Sequence, residues 1–247
     1  MNQSTVAAIA TPPGMGAVSL IRISGPEAAV VASKVFKGRA RDKWVARTQH
    51  FGVIANQAGE KLDEVLLTYF PAPHSFTGED VVEIACHGGV VVTRQVIAAL
   101  LAAGAESAAP GEFSQRAFFN GRIDLTQAEA IMDLISAQTE LAAKAAQEQL
   151  EGRLGAEIQS IREEIISVIA HVEAFIDFPE EDITPDSSEA ILLKINTVVT
   201  RIEGLLATAD QGRILREGLR TVICGAPNAG KSSLLNLLLG FDRAIVN

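Results

Sequence analysis

Cysteine is nearly absent from this chain. Cys86 and Cys224 are the only two, which excludes a disulfide framework. Long apolar runs are missing as well. Charge or glycine interrupts each of them before the roughly 18 residues that a membrane helix needs, so no membrane association is expected. The first residues, "MNQSTVAAIATPPG", lack the basic stretch of a secretory signal. Aromatic residues make up only 5% of the chain, with one Trp and one Tyr. Positive charge is in deficit, and the net charge is −9. That excludes a general nucleic-acid binder, because phosphate contacts need clustered cations. One local exception is "KGRARDKWVAR", where Lys37, Arg39, Arg41, Lys43 and Arg47 surround Asp42. It reads either as a solvated loop or as a local nucleic-acid contact. The expectation is a cytoplasmic protein with reduced thiols.

What is abundant is aliphatic. Hydrophobic residues make up 48% of the 247, enough for a packed core and suited to a helix-rich protein of one or two domains. Residues 1–120 predict a mixed α+β domain. "TVAAIA" and "AVSLIRIS" read as strands split by the turn "TPPGMG". "GPEAAVVASKVF" reads as a helix with Pro26 near its first turn. "HFGVIAN" and "EVLLTYF" flank the turn-rich "QAGEKLD", as a hairpin would. "DVVEIACHG" is a further strand, and "VVVTRQVIAALLAAG" a helix closed by Gly104.

Residues 121–216 have a different texture, and helical periodicity takes over. Asp124 and Gln127 have capping-box spacing before a helix expected over residues 125–150. Leu154, Ile158, Ile161, Ile165, Val168, Val172 and Phe175 form one apolar seam, which Pro179 should end. Ile191, Ile195, Val198, Ile202, Leu205 and Ala209 form a second. Such seams pack against each other or against a further helix, and a bundle is expected.

Residues 217–247 open a third region. "LRTVIC" reads as a short buried strand, followed by the loop "GAPNAGKS" and the helix "SLLNLLLG". Gly225 to Ser232 match G-x-x-x-x-G-K-[ST] between a strand and a helix, the context that the phosphate-binding loop requires. Backbone N–H groups curl around phosphate oxygens, and the helix N-terminus adds partial positive charge. The nucleotide-binding set is Asn228, Ala229, Gly230, Lys231, Ser232 and Ser233. Lys231 suits the β and γ phosphates, and the Ser232 hydroxyl can ligate Mg²⁺. Hydrolysis needs further groups to hold the metal and orient water. Seven residues after Gly240 cannot supply them, so the chain reads as a fragment that should not hydrolyse nucleotide on its own.

Two charges stand inside apolar strands: Arg22 beside Leu20 and Val18, and Glu83 among Val81, Val82 and Ile84. A charge buried there costs several kcal/mol unless it is paired. One reading is a structural ion pair, with each other or with other partners. The other is a ligand site, since a carboxylate can accept two hydrogen bonds and an Arg can hold a carbonyl or carboxylate. Cys86 and His87 are adjacent, but side chains alternate along a strand, so they do not form a dyad. Cys86 reads as a packed small hydrophobe. His50, His74 and His171 are scattered and suggest no metal set.

Several long stretches together resemble one family, the bacterial and organellar tRNA modification GTPases called MnmE or TrmE. They are "IATPPGMGAVSLIRISG", "SFTGEDVVEIACHGG", "APGEFSQRAFFNGRIDLTQAEAIMDLI", "EAFIDFPEEDI" and "ILREGLRTVICGAPNAGKSSLLNLLLG". The resemblance implies a folate-binding and dimerisation domain over 1–120, the first half of a helical domain over 121–216, and the start of an inserted α/β GTPase domain over 217–247. It implies a homodimer through the N-terminal domain, and a flavin-dependent partner, MnmG (GidA). It implies tRNA as substrate, modified at C5 of the wobble uridine by a carboxymethylaminomethyl or aminomethyl group. A tetrahydrofolate derivative, 5-formyl- or methylene-tetrahydrofolate, would supply the carbon, coupled to K⁺-dependent hydrolysis of GTP to GDP. Arg22, Glu83 and Arg122 fall on the family's folate positions, and Asn228 on its K⁺ position. The bland reading of Asn228 is a tight-turn residue. The alternative for the whole is a dimerising assembly-factor GTPase without folate chemistry.

Overall fold

A computed structural model describes residues 4–38, 44–177, 188–218 and 221–241. Arg39, Arg41, Asp42 and Lys43 of the basic run, and Pro179, lie outside them, as does much of "EAFIDFPEEDI". Two compact units are distinguished. One runs to Met132 and takes in Gln149–Gly155. The other comprises Asp133–Glu148 and the described residues from Ala156 onward.

The first unit is built on a seven-stranded sheet. Its strands are β1 (Val6–Ile9), β2 (Val18–Ser24), β3 (Phe36–Gly38), β4 (Gln49–Ala55), β5 (Lys61–Phe70), β6 (Val81–His87) and β7 (Glu106–Ser107). They lie in the order β3-β4-β5-β6-β2-β1-β7. Every pairing is antiparallel except β1 with β7. The β4–β5 hairpin forms where turn chemistry predicts it. Asn56 closes it, donating from Nδ2 to the Glu60 carboxylate and accepting the Glu60 N–H.

Alternation gives the sheet two unlike faces. Ile21 and Ile23 of β2 meet Ile84 and Val82 of β6 in register, and all four are fully buried. Helices α1 (Ala28–Val35) and α2 (Val90–Ala102) cover that face through Val31, Val35, Val96 and Leu100. Burying such side chains contributes roughly 1.5–3 kcal/mol each. The opposite face of the same strands carries Leu20, Arg22, Glu83 and Ala85, all half-buried.

A short helix, α3 (Glu112–Phe119), has no counterpart in the periodicity reading. The capping box does form. Asp124 Oδ1 accepts the Gln127 N–H at 2.8 Å, and Gln127 Oε1 accepts the Asp124 N–H at 2.9 Å. The helix expected over 125–150 is instead two, α4 (Leu125–Ser136) and α5 (Glu140–Leu150). The Thr139 hydroxyl accepts the Ala142 N–H at 3.1 Å, so a fresh N-cap interrupts the run. The chain then doubles back. Gln127 Nε2 donates to the Leu150 carbonyl, and Gln149 Nε2 to that of Thr126.

The long seams lie on α6 (Arg153–Asp177) and α7 (Ser188–Glu217). Ile161 and Val198 are buried, while Ile158, Ile165, Ile195 and Ile202 remain exposed. Arg201 of α7 clasps α6, donating to Glu157 at 2.9 Å, to the Ser160 hydroxyl at 3.1 Å, and to Glu164. No helix among the described residues is long and apolar enough to cross a membrane.

Candidate functional site

The β2–β6 register sets Arg22 directly opposite Glu83, with Ala8 and Thr68 extending the same row. Arg22 donates to Glu83 Oε1 from Nε at 2.9 Å and from Nη2 at 2.7 Å. Both N–H groups go to one oxygen. Arg22 Nη1 and Glu83 Oε2 have no hydrogen-bond partner among the described residues, and the two side chains are 24% and 22% exposed. The pair thus leaves one guanidinium nitrogen and one carboxylate oxygen without a protein partner among the described residues, on the face that α1 and α2 do not cover. That arrangement can meet a planar group carrying both a carbonyl and an N–H.

The loop between β5 and β6 borders this pair. The Arg22 guanidinium carbon lies over the Phe76 ring of that loop, 5.3 Å from its centroid, and over the Phe113 ring of α3 at 5.6 Å. Both distances are within cation–π range. Arg122, exposed, reaches the same loop at Gly78. Its aliphatic stem packs so closely on Gly78 that a Cβ there would stand 3.1 Å from Arg122 Cγ. The Arg22–Glu83 pair and the Arg122 stem thus border one loop, but Arg122 has no ion pair with Glu83.

Sequence reading missed Phe76, Phe113, Glu79, Glu112 and Arg116. Arg116 is 9% exposed and holds both Glu79 and Glu112. Burial by itself would lower the Arg116 pKa, but its bonds to Glu112 and Glu79 outweigh that and raise it. Burial would raise the Glu112 carboxyl. The Ala109 N–H and Arg116 outweigh it and hold the group below its ordinary range. The Glu112/Arg116 spacing of four was the one legible signal.

Cys86 is buried, and its thiol contacts the Ser19 carbonyl oxygen at 3.5 Å. Burial, with the charge of Asp63, pushes its pKa up. His87 faces the other way and pairs through Nδ1 with Asp63 at 2.7 Å. The two neighbours do not work together.

In the second unit, the strand expected over Leu219–Cys224 is not formed in its described part, Thr221–Cys224. Val222 is 84% exposed. No strand pairs with it among the described residues, so it has no ladder to complete. The loop itself is shaped for its motif. Asn228 takes φ 61° and Gly230 φ 82°, and α8 (Lys231–Leu239) starts directly after. Lys231 Nζ folds back onto the Gly225 and Ala226 carbonyls at 3.1 and 2.6 Å. The first N–H groups of α8 have no helical acceptor, so they can receive an anion.

The chain carries an α+β N-terminal domain and a helical region, followed by a loop with the sequence of a phosphate-binding motif. Residues 5–122 match the family model for the GTP-binding protein TrmE N-terminus, and residues 125–243 that for the MnmE helical domain. Curated relatives share about half of its residues. A tRNA modification GTPase MnmE of Akkermansia muciniphila is 49% identical over 99% of this chain and 55% of its own length. One of Lacticaseibacillus paracasei is 51% identical over 98% and 53%. The Bacillus subtilis protein of that name is 49% identical over 98% and 54%. The chain belongs to the MnmE (TrmE) family, and it spans about half the length of these relatives.

Proposed function

We propose that this chain forms the folate-binding portion of a tRNA modification GTPase, with Arg22 and Glu83 as the folate site. The observation that supports it is the half-used ion pair. Glu83 Oε2 and Arg22 Nη1 have no protein partner among the described residues, and both side chains are only half-buried. A reduced pterin presents an amino group and a ring N–H to such a carboxylate, and its carbonyl to the guanidinium. Arg122 supplies a further cation beside the Gly78 loop for a carbonyl or a glutamate-tail carboxylate.

The carbon bound there, as 5-formyl- or methylene-tetrahydrofolate, would go to C5 of the tRNA wobble uridine, with the flavin-dependent MnmG as partner. The product is an aminomethyl or carboxymethylaminomethyl group. The N-terminal domain holds a cytoplasmic homodimer together. The loop from Asn228 through Ala229 and Gly230 to Ser233 binds GTP or GDP. Lys231 neutralises the β and γ phosphates, Ser232 ligates Mg²⁺, and Asn228 contributes to an activating K⁺ site.

Calorimetry with 5-formyltetrahydrofolate tests the folate site. Wild type should bind, and Glu83→Ala should lose most of that affinity. Undiminished binding by Glu83→Ala would reject the site. A wild-type dimer by light scattering that takes up no folate would favour the assembly-factor alternative.

A further inference from the structure

Arg22 is held from two directions, and only one belongs to the sheet. Glu83 receives two of its N–H groups at a single oxygen. A one-oxygen contact leaves the guanidinium plane free to rock, unlike a two-oxygen fork. What remains to set the plane is the pair of rings, Phe76 and Phe113. Neither lies on a strand. Phe76 is in the β5–β6 loop, and Phe113 is on the first turn of α3. The strand ladder therefore does not align them.

Arg116 does tie those two segments to each other. Its Nη1 donates to both Glu79 oxygens, at 3.2 and 3.1 Å, and to the Ser4 carbonyl at 2.9 Å. Its Nε and Nη2 donate to Glu112 Oε1 at 3.1 and 2.7 Å. Glu79 is three residues beyond Phe76, and Glu112 immediately precedes Phe113. Ser24, two residues beyond Arg22 on β2, adds an anchor by donating to Glu79 Oε2 at 2.8 Å. One buried fork thus spans the loop, the helix and the N-terminal segment.

We propose that Arg116 is a positioning residue for the Arg22–Glu83 site. By bridging Glu79 and Glu112 it holds Phe76 and Phe113 on the Arg22 guanidinium. That fixes the direction in which Nη1 meets a planar heterocycle. The ligand part of this inference rests on the folate reading above. A Lys at 116 keeps the charge but lacks the planar fork that reaches two carboxylates and a carbonyl at once.

The test uses residues 1–247 as wild type, Arg116→Lys, the pair Phe76→Leu/Phe113→Leu, and all three changes together, each well below its own Tm. Glu79→Gln is a milder break in the same bridge and replaces Arg116→Lys if that variant does not fold. The first measurement needs no ligand. Protons above ring faces move upfield in NMR spectra, so the Arg22 side-chain signals should be shifted in wild type. They should relax towards ordinary positions in Arg116→Lys and in the Phe pair. The second is affinity for 5-formyltetrahydrofolate. Arg116→Lys and the Phe pair should each weaken it about tenfold, a size in keeping with a lost cation–π clamp. If Arg116 acts through the rings, the combined variant should also lose about tenfold, rather than the roughly hundredfold expected of independent sites.

A lower Tm with unchanged signals and affinity would make Arg116 a purely structural residue and overturn the proposal. Losses that multiply would also overturn it. If wild type shows the shifted signals, Arg116→Lys removes them, and neither binds folate, the positioning of Arg22 stands and the folate reading falls.

Discussion

Arg22 gives two N–H groups to one oxygen of Glu83, its directly opposed neighbour across the β2–β6 ladder. The pair satisfies part of each charge and keeps the rest available. A closed bidentate bridge would use both carboxylate oxygens; this one uses one.

The two charges should depend on each other for stability. Glu83→Ala leaves a half-buried guanidinium unpaired and should cost about 1–3 kcal/mol. Arg22→Met added to it should cost less than the sum of the separate changes. Urea unfolding of the four proteins measures this. Additive losses would show that the pair is not coupled.

Gly78 should resist substitution for two reasons. It takes φ 79°, which costs an L-residue about 1–2 kcal/mol, and a Cβ would press on the Arg122 stem. Gly78→Ala should lower the urea midpoint and, by displacing Arg122, weaken folate binding. A stable variant with wild-type affinity would remove Arg122 from the site.

Acid stability should carry a contribution from Glu112. Its folded-state pKa lies below the unfolded value, so the unfolded chain binds more protons in the window between them. The contribution is whole above the unfolded pKa of about 4.3 and is lost as pH falls through the folded value. Glu112→Gln should therefore flatten the fall in stability below about pH 4, when urea midpoints are followed against pH. An unchanged slope would contradict the assignment.

Thiol chemistry should separate the two cysteines. Cys224 is exposed, whereas Cys86 is buried with a raised pKa. Native protein should release one equivalent of chromophore from a disulfide reagent at pH 8, and two after denaturation. Fast labelling of both in the native state would refute the packed role of Cys86.

Residues 1–247 should hydrolyse no GTP above background, measured as released phosphate, because the loop alone offers no group to orient water. Turnover would show that the chain holds a catalytic group so far unassigned.

Much of the first unit was legible because its signals are local. The apolar runs "AVSLIRIS" and "DVVEIACHG" marked strands, and the turn-rich "QAGEKLD" marked a hairpin. The Asp124/Gln127 pair marked a helix start, although the same reading ran straight through the Thr139 cap. Helix α3 was not read, although its apolar residues do keep a helical period. With it went Phe113 and Arg116, whose importance comes from partners distant in sequence. The seams on α6 and α7 were read correctly as apolar. Which of their members are covered depends on packing: Ile161 and Val198 are buried, while Leu154, Val168, Ile191 and Leu205 are half-buried.

By itself the sequence determined the phosphate loop, the change from sheet to helical region and the family. Each rests on neighbours along the chain: a backbone shape that glycine permits, a period, a run of motifs. Only the tertiary structure decided that Arg22 and Glu83, 61 residues apart, share one row and one oxygen. Strand register follows from burying the other face, Ile21 against Ile84 and Ile23 against Val82, and a slip of one residue in either strand would turn that strand's charge into the core. The rings over Arg22 were likewise settled by contacts between segments, which no local pattern encodes.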